Sequence, residues 1–496
     1  MQASVLSATI VGVEAALVEV QADVTSGLPC FTIVGLGDAA VLEARDRVRS
    51  ALRHSGFEFP MARVVVNLAP APLRKHGTGF DLAIALGLLC ATGQVPRSAA
   101  EGCLAVGELA LDGTVRPIPG MLAHALAAQA SGLRLMTAAA AENHLIGVSG
   151  ITLVPLADLS SLRNGVRAMT MTQSDLAGSS SLPGPDLADV HGHASAKRAL
   201  EIAAAGGHNV LFSGPPGSGK TMLARCLPAL LRPLDQTERL ETALVYSVAG
   251  LDERPALGGV RPFRAPHHTC SVAGLTGGGS PPRPGEVSLS HNGVLFLDEL
   301  PEFGPAALQA LRQPLEDGAL TLVRAEGRVR YPARFALLAA MNPCPCGFAG
   351  DTGKSCSCTP QKIANYQARV GGPLLDRIDL WTRIDRVDPA GLVGRSAPGE
   401  TTARVVARVG GAHAFAAEHG RPPSAALSGT ELLRACALDE KGRRQVEGTA
   451  RALRLSGRAV TRLLRVARTV ADLEQHARVR TEHVAEATAF RLLESL

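Results

Sequence analysis

Gly214-Pro215-Pro216-Gly217-Ser218-Gly219-Lys220-Thr221 fits the pattern G-x-x-x-x-G-K-[ST]. Leu211-Phe212 end a short apolar strand before it, and Met222-Leu223-Ala224-Arg225 open a helix after it. That is the strand–loop–helix setting the pattern requires. Glycines let the backbone wrap a polyphosphate, and the loop N–H groups and helix N-terminus point at negative charge. Lys220 is placed to reach the β- and γ-phosphates, and the Thr221 hydroxyl to bind the accompanying Mg²⁺.

Further along, Gly293-Val294-Leu295-Phe296-Leu297-Asp298-Glu299 reads as an apolar strand ending in two carboxylates, a Walker B element. Asp298 is expected to hold Mg²⁺, largely through water, and Glu299 to polarise the attacking water. Together the two motifs predict a nucleotide-hydrolysing α/β core.

The rest of the chain is compatible with that core. Its 496 residues are 46% hydrophobic and 19% charged, enough for several domains with large cores. No apolar run reaches the ~20 residues that a membrane helix needs, and Met1 to Ile10 lack the basic start of a signal peptide. A cytoplasmic protein without a membrane partner is expected. The net charge of +5 is mild, but residues 401–496 carry the basic excess, which suits either phosphate contacts or an Arg-rich helix surface.

Residues 1–171 read as one α/β domain. Strands are expected at Ala16–Ala22, Phe31–Val34, Arg63–Asn67 and Ile151–Val154, and helices at Ala39–Arg53, Phe80–Cys90 and Met121–Ala130. Leu104-Ala105-Val106 and Leu109-Ala110-Leu111 flank Gly107-Glu108, with a turn at Asp112-Gly113. Lys75-His76-Gly77-Thr78-Gly79-Phe80-Asp81-Leu82 and Gly107 to Ile118 resemble the ribosomal-S5-type fold shared by Lon protease domains and the N-terminal domain of magnesium-chelatase-like ATPases. The serine and lysine of a Lon-type dyad align with Gly79 and Leu122, neither of which supplies a nucleophile or a base. The resemblance therefore implies the fold and argues against proteolysis.

Residues 172–186 form a linker rich in Ser, Gly and Pro. The segment 187–390 is then the ATPase core. Between its two motifs lie Arg261-Pro262-Phe263-Arg264-Ala265-Pro266-His267-His268-Thr269-Cys270-Ser271 and a Gly- and Pro-rich run, Gly274 to Gly285, expected to be a mobile loop. Adjacent His267 and His268 with Cys270 have poor spacing for a closed metal site. With Gly206 to Asp235 and the Walker B strand, this segment resembles the magnesium-chelatase-like AAA+ ATPases of the YifB/ComM group, and the likeness runs nearly the full chain.

Several roles follow from that resemblance. It implies an insertion in helix 2 of the core, carried by the Arg261–Ser271 segment and facing a central pore. It makes the hairpin read at Leu320–Arg324 and Arg328–Pro332 a pre-sensor-1 hairpin, whose Arg324, Arg328 and Arg330 would meet a phosphate backbone. Asn342, ending the apolar strand Phe335–Ala340, becomes sensor 1. Arg377, in Leu374-Leu375-Asp376-Arg377-Ile378-Asp379, becomes an arginine finger acting on a neighbouring subunit's ATP, the alternative being a local pair with Asp376 or Asp379. Residues 391–496 become an all-α lid in which Arg458, starting a helix after Leu455-Ser456-Gly457, is sensor 2.

Cys344, Cys346, Cys356 and Cys358 are spaced C-x-C-x₉-C-x-C, and four thiolates so close can close a tetrahedral Zn²⁺ site. Reduced thiols and a redox disulfide are the other readings. The resemblance implies an ATP- and Mg²⁺-dependent hexamer acting on DNA, a helicase or branch-migration factor for recombination intermediates as in natural transformation. A chelatase-type motor driving a metal-inserting partner is the alternative, as is an ATP-switched scaffold. The chain carries no metal-insertase domain, which weighs against the first of these.

Overall fold

Alternating small apolar residues at the very start of the chain build a strand that the sequence reading passed over, and it forms a hairpin with the strand expected around Ala16–Ala22. Gln2–Val11 pairs antiparallel with Glu14–Thr25 around a turn at Gly12. Val5, Val18, Val20 and Ala22 from this pair are buried on one face. The computed structural model describes residues 1–165, 167–171, 184–324, 327–351, 353–386 and 399–491.

The hairpin sits in an eight-stranded sheet in the order Met169–Thr170, Thr152–Leu156, Arg134–Ala138, Cys103–Ala105, Gln2–Val11, Glu14–Thr25, Arg63–Ala69, Cys30–Val34. One face is covered by the helices Ala39–His54 and Asp81–Ala91. Asp38 caps the first of these, accepting from Val41 N at 3.0 Å. The second, apolar all round, is buried along its whole length, as such a helix must be. The other face packs the helix Met121–Ala130 against Leu234, Ala243, Ala256 and Leu257 of the ATPase core. Each such buried side chain contributes roughly 1.5–3 kcal/mol when fully desolvated, so the N-terminal sheet and the core share a hydrophobic seam.

The core sheet has five parallel strands in the order Phe263–Arg264, Gly293–Leu297, Phe335–Met341, Val210–Ser213, Leu380–Arg383. This corrects one expectation. The Arg261–Ser271 segment is not the insertion in helix 2: Phe263–Arg264 is the edge strand of the sheet, stacked on Phe296 through Phe263 at 6.0 Å between rings. The Gly- and Pro-rich run downstream is built rather than loose. Short helices Val272–Thr276 and Glu286–Leu289 flank a hairpin pairing Gly277–Gly278 with Arg283–Pro284. Glycine-rich composition hid the ladder, because ladder bonds need only backbone.

Among the described residues five α-helices follow the core: Thr402–Glu418, Gly429–Cys436, Glu440–Ala452, Gly457–Leu473 and Thr481–Ala489. They share one apolar cluster with the core helix Ala194–Gly206, including Val409, Leu463, Val470, Leu200 and Ile202. His208 is fully buried at this junction, bonded to Asp379 at 3.2 Å and Thr469 at 2.7 Å. Most of the proposed linker, residues 172–183, and the core–lid boundary at 390 lie outside the described residues.

Candidate nucleotide-binding site

In a parallel sheet the C-terminal strand ends share one edge, so whatever follows Ser213, Leu297 and Met341 meets there. The phosphate loop leaves Ser213. A Cβ on Gly214 would lie 2.1 Å from the Ile384 carbonyl oxygen, so only glycine passes. The helix Lys220–Leu230 starts with no side-chain cap, which leaves its first-turn N–H groups facing the loop.

Lys220 is buried, and its Nζ donates to the carbonyls of Gly214 at 2.7 Å and Pro215 at 2.9 Å and to Asn342 Oδ1 at 3.2 Å. Burial pushes its ammonium pKa below the usual range, against the opposing pull of Asp298 and Glu299. Thr221 Oγ1 donates to Asp298 Oδ2 at 2.8 Å, and Asp298 Oδ1 accepts from Glu299 N at 2.9 Å. Glu299 adopts φ 52°, a left-handed backbone that is costly for a residue with a Cβ and is found where a site over-determines it. Its Oε2 lies 3.0 Å from His268 Nδ1. His268 was not foreseen in this place. The segment after the edge strand carries it there, and no local pattern announces a partner so distant in sequence.

Lys220, Thr221, Asp298, Glu299 and Asn342 therefore converge. Thr221 and Asp298 offer the hard oxygens that Mg²⁺ takes, and Lys220 with the loop N–H groups offers the positive lining that a polyphosphate takes, so the residues fit both.

Arg377 and Arg458 do not join them. The Asn209 side chain donates to the Arg377 carbonyl at 2.8 Å, and the Asn209 carbonyl accepts from Asp379 N and Leu380 N at 3.1 and 3.0 Å. Asn209 is the residue entering Val210–Ser213, so Arg377 lies at the opposite end of that strand from the loop, roughly 13 Å of chain away. There it bonds Glu316 and the Pro373 carbonyl. Neither neighbouring Asp holds it: Asp376 is 3.3 Å from Arg462, and Asp379 pairs with His208. Arg377 and Arg458 line one cavity with Arg334, Arg462 and Arg465. Arg462 is buried there, with Nε and Nη1 lacking hydrogen-bond partners among the described residues. The spacing i, i+4, i+7 of Arg458, Arg462 and Arg465 was in the sequence and marks one helix face.

The four cysteines are gathered. Sγ of Cys344 lies 3.3 Å from Cys346 and 3.6 Å from Cys356, Cys346 lies 3.6 Å from Cys356, and Cys358 completes the group within 4.8 Å. Backbone N–H groups of Ala349 and Cys358 donate to Cys344 and Cys356 sulfur at 3.3 and 3.4 Å. A second cluster, Glu474, His476 and His483, has metal-like spacing, but His483 Nδ1 accepts from Arg480 N at 3.0 Å. The neutral ring then carries its proton on Nε2, the nitrogen facing Glu474 at 3.0 Å, and the cluster reads as a hydrogen-bonded helix cap.

The hairpin Ala319–Arg324 with Gly327–Pro332 closes at Arg324 opposite Gly327. Arg328 and Arg330 are exposed, with no ion pair among the described residues; the Arg324 side chain and residues 325–326 lie outside them. No helix of the described residues is long and apolar enough to cross a membrane.

Comparison with known proteins agrees with this architecture. Residues 186–392 match the family described as magnesium chelatase, subunit ChlI; residues 20–142 match subunit ChlI of Mg-chelatase; and residues 399–491 match the ChlI C-terminal family. The YifB protein of Salmonella typhimurium is 43% identical over 490 residues, covering 98% of this chain and 96% of that one. The competence protein ComM of Haemophilus influenzae is 42% identical over 501 residues, covering 99% and 97%. Lon protease 2 of Bacillus subtilis is 32% identical over 140 residues, 26% of this chain and 25% of its own. With a phosphate loop, a Walker B strand and these matches across its length, the chain belongs to the magnesium-chelatase-like AAA+ ATPases, a family whose members use ATP and Mg²⁺.

Proposed function

We propose that the chain is a ring-forming ATPase motor, a hexamer, that acts on DNA as a helicase or branch-migration factor. The observation that carries the ring is the split of the site: Lys220, Thr221, Asp298, Glu299 and Asn342 share one end of the sheet, while Arg377 and Arg458 sit at the other. An arginine finger on that far face reaches a γ-phosphate only in another copy, and the cavity that Arg458 shares with Arg377 supports giving it to the same neighbour.

Within one site the division of labour follows from contacts. Lys220 exchanges its carbonyl partners for phosphate oxygens. Thr221 and Asp298 would hold Mg²⁺, which would supply positive charge to the phosphates. Glu299 orients and polarises the attacking water, Asn342 holds Lys220 and the terminal phosphate in register, and His268 positions the Glu299 carboxylate.

For DNA the support is the exposed, unpaired Arg328 and Arg330 on a hairpin beside the sensor strand, together with the likeness to a competence protein. For zinc it is the cysteine group, whose sulfur separations approach the roughly 3.8 Å edge of a tetrahedron with Zn–S of about 2.3 Å. Cys344 stands two residues after Asn342, and Gly347 packs directly on Pro216 of the phosphate loop. A closed metal site there would clamp sensor 1 against the loop.

The deciding experiment measures ATPase rate with and without single-stranded and forked DNA, alongside DNA binding at low salt with ATP and Mg²⁺. Stimulation and binding support the proposal. Robust ATPase with no DNA binding transfers the reading to a chelatase-type motor driving a partner.

A further inference from the structure

Residues 342–359 join the strand Phe335–Met341 to the helix Pro360–Ala368, and their described residues form no helix or strand. Composition explains why. The segment carries Gly347, Gly350 and Gly353, Pro343 and Pro345, and one large apolar side chain, Phe348. Of its described residues only Cys344 and Gly347 are buried. So little desolvated surface does not offset the entropy of ordering the backbone. The cross-link that this stretch of sequence does provide is its group of four cysteines, Cys344, Cys346, Cys356 and Cys358, and metal binding to such a group is ordering free energy.

The segment is packed against the nucleotide site on three sides. At its start, Asn342 Oδ1 accepts from Lys220 Nζ at 3.2 Å. Gly347, at φ 85°, lies on the phosphate loop, where a Cβ would stand 2.5 Å from Pro216 Cδ. The Gly350 carbonyl accepts from Arg383, and the Asp351 carboxylate from Arg386 Nε at 2.8 Å. Those two arginines flank Ile384, whose carbonyl lies against Gly214 of the phosphate loop. From behind, Gln367 Nε2 of the following helix donates to the Pro343 carbonyl at 3.1 Å. Ordering this segment therefore also fixes what Pro216 and Lys220 rest on.

We propose that a metal ion on the cysteine group and nucleotide in the phosphate loop bind cooperatively, through Gly347 on Pro216 and Asn342 on Lys220. The inference rests on the zinc reading and adds regulation to it: metal supply sets nucleotide affinity, and bound nucleotide protects the metal. Both ligands favour one arrangement of residues 342–359, so whichever binds first spares the second part of the ordering cost. Linkage makes the coupling factor the same in both directions. A cysteine group that served stability alone would lower the thermal midpoint on losing its metal and leave nucleotide affinity untouched.

The test uses the full wild-type chain, purified under reducing conditions with its metal content measured. It is stripped with a chelator, freed of the chelator and divided, and one half is reloaded with Zn²⁺. Binding of a fluorescent ADP analogue in Mg²⁺ is measured on both halves. The stripped half is expected to bind about tenfold more weakly, within the range of about 5–150-fold usual for coupled sites. In the reverse direction, competition with a chromogenic zinc chelator should show zinc held more tightly by the same factor when ADP saturates the loop. Gly347→Ala keeps all four sulfurs and crowds Pro216, so it should retain zinc and lose nucleotide affinity. The inference is overturned if stripped and reloaded protein bind the analogue alike, if ADP leaves zinc affinity unchanged, or if zinc-loaded Gly347→Ala binds the analogue as wild type does. The first two measurements use unsubstituted protein and decide the matter should Gly347→Ala fail to fold. Wild-type protein that neither carries nor takes up zinc removes the zinc reading and this inference with it, whereas zinc-loaded protein without coupling removes this inference alone.

Discussion

The two ends of the nucleotide-binding sheet differ in what their side chains already hold. At the C-terminal end Lys220, Thr221, Asp298, Glu299, Asn342 and His268 are bonded to one another or to the loop. At the N-terminal end the cavity gathers five arginines with Glu316, Asp376 and Asp379, and two buried nitrogens of Arg462 have no partner among the described residues. One end is closed around itself, while the other presents exposed Arg334 and Arg458. On the proposed reading, a hydrolytic site complete in composition is divided in space, and the half that carries Arg377 is the one that meets a second copy.

Arg377 is where that comparison is most exposed to failure. Arg377→Ala is expected to reduce ATP turnover by on the order of 10³-fold, the range seen for arginine fingers. Its Glu316 partner is well exposed, so little stability should be lost. Mixing this variant with Lys220→Ala protein should restore part of the activity, because mixed interfaces regain an intact loop facing an intact Arg377. Failure to recover despite demonstrated co-assembly would break the division between the two ends.

At the closed end, Glu299→Gln should keep ATP binding and lose turnover by on the order of 10²-fold or more. Wild-type turnover in that variant would remove Glu299 from the role of base. Binding and single-turnover rates measured together separate this outcome from loss of substrate.

The cysteine group tests how rigidly the closed end is held. Elemental analysis of protein purified under reducing, chelator-free conditions should give about one zinc per chain. Cys356→Ser should lose the metal and lower the thermal midpoint while the phosphate loop still binds nucleotide. Metal-free wild-type protein would refute the site.

The smallest effect is expected from the hairpin, which belongs to neither end. Arg328→Ala with Arg330→Ala should leave basal ATPase intact and weaken DNA binding without regard to sequence. The log–log salt slope should fall by roughly 0.7–0.9 per lost phosphate contact. An unchanged slope would move the DNA contact to the basic C-terminal helices.

The phosphate loop and the Walker B strand were legible because each is a local pattern whose geometry is set within ten residues. The all-helical C-terminal region was legible for the same reason, through periodicity and caps such as Ser456, which accepts from Ala459 N at 3.2 Å. The opening strand was missed because Ala3, Ser4, Ser7 and Ala8 mute the alternation in Gln2–Val11. The edge strand was read as an insertion because the His267-His268 segment is conspicuous in composition, whereas the hairpin after it is mostly Gly and Pro.

Sequence alone picked out the phosphate loop, the Walker B carboxylates and the cysteine group, since chemistry of that kind depends on residue type at short spacing. Only the tertiary structure decided where those residues stand relative to one another. Strand order carries Asn342 and His268 to the loop and Arg377 away from it. These are contacts between residues far apart in the chain, and a chain's local patterns carry no record of which distant segments will be folded against them.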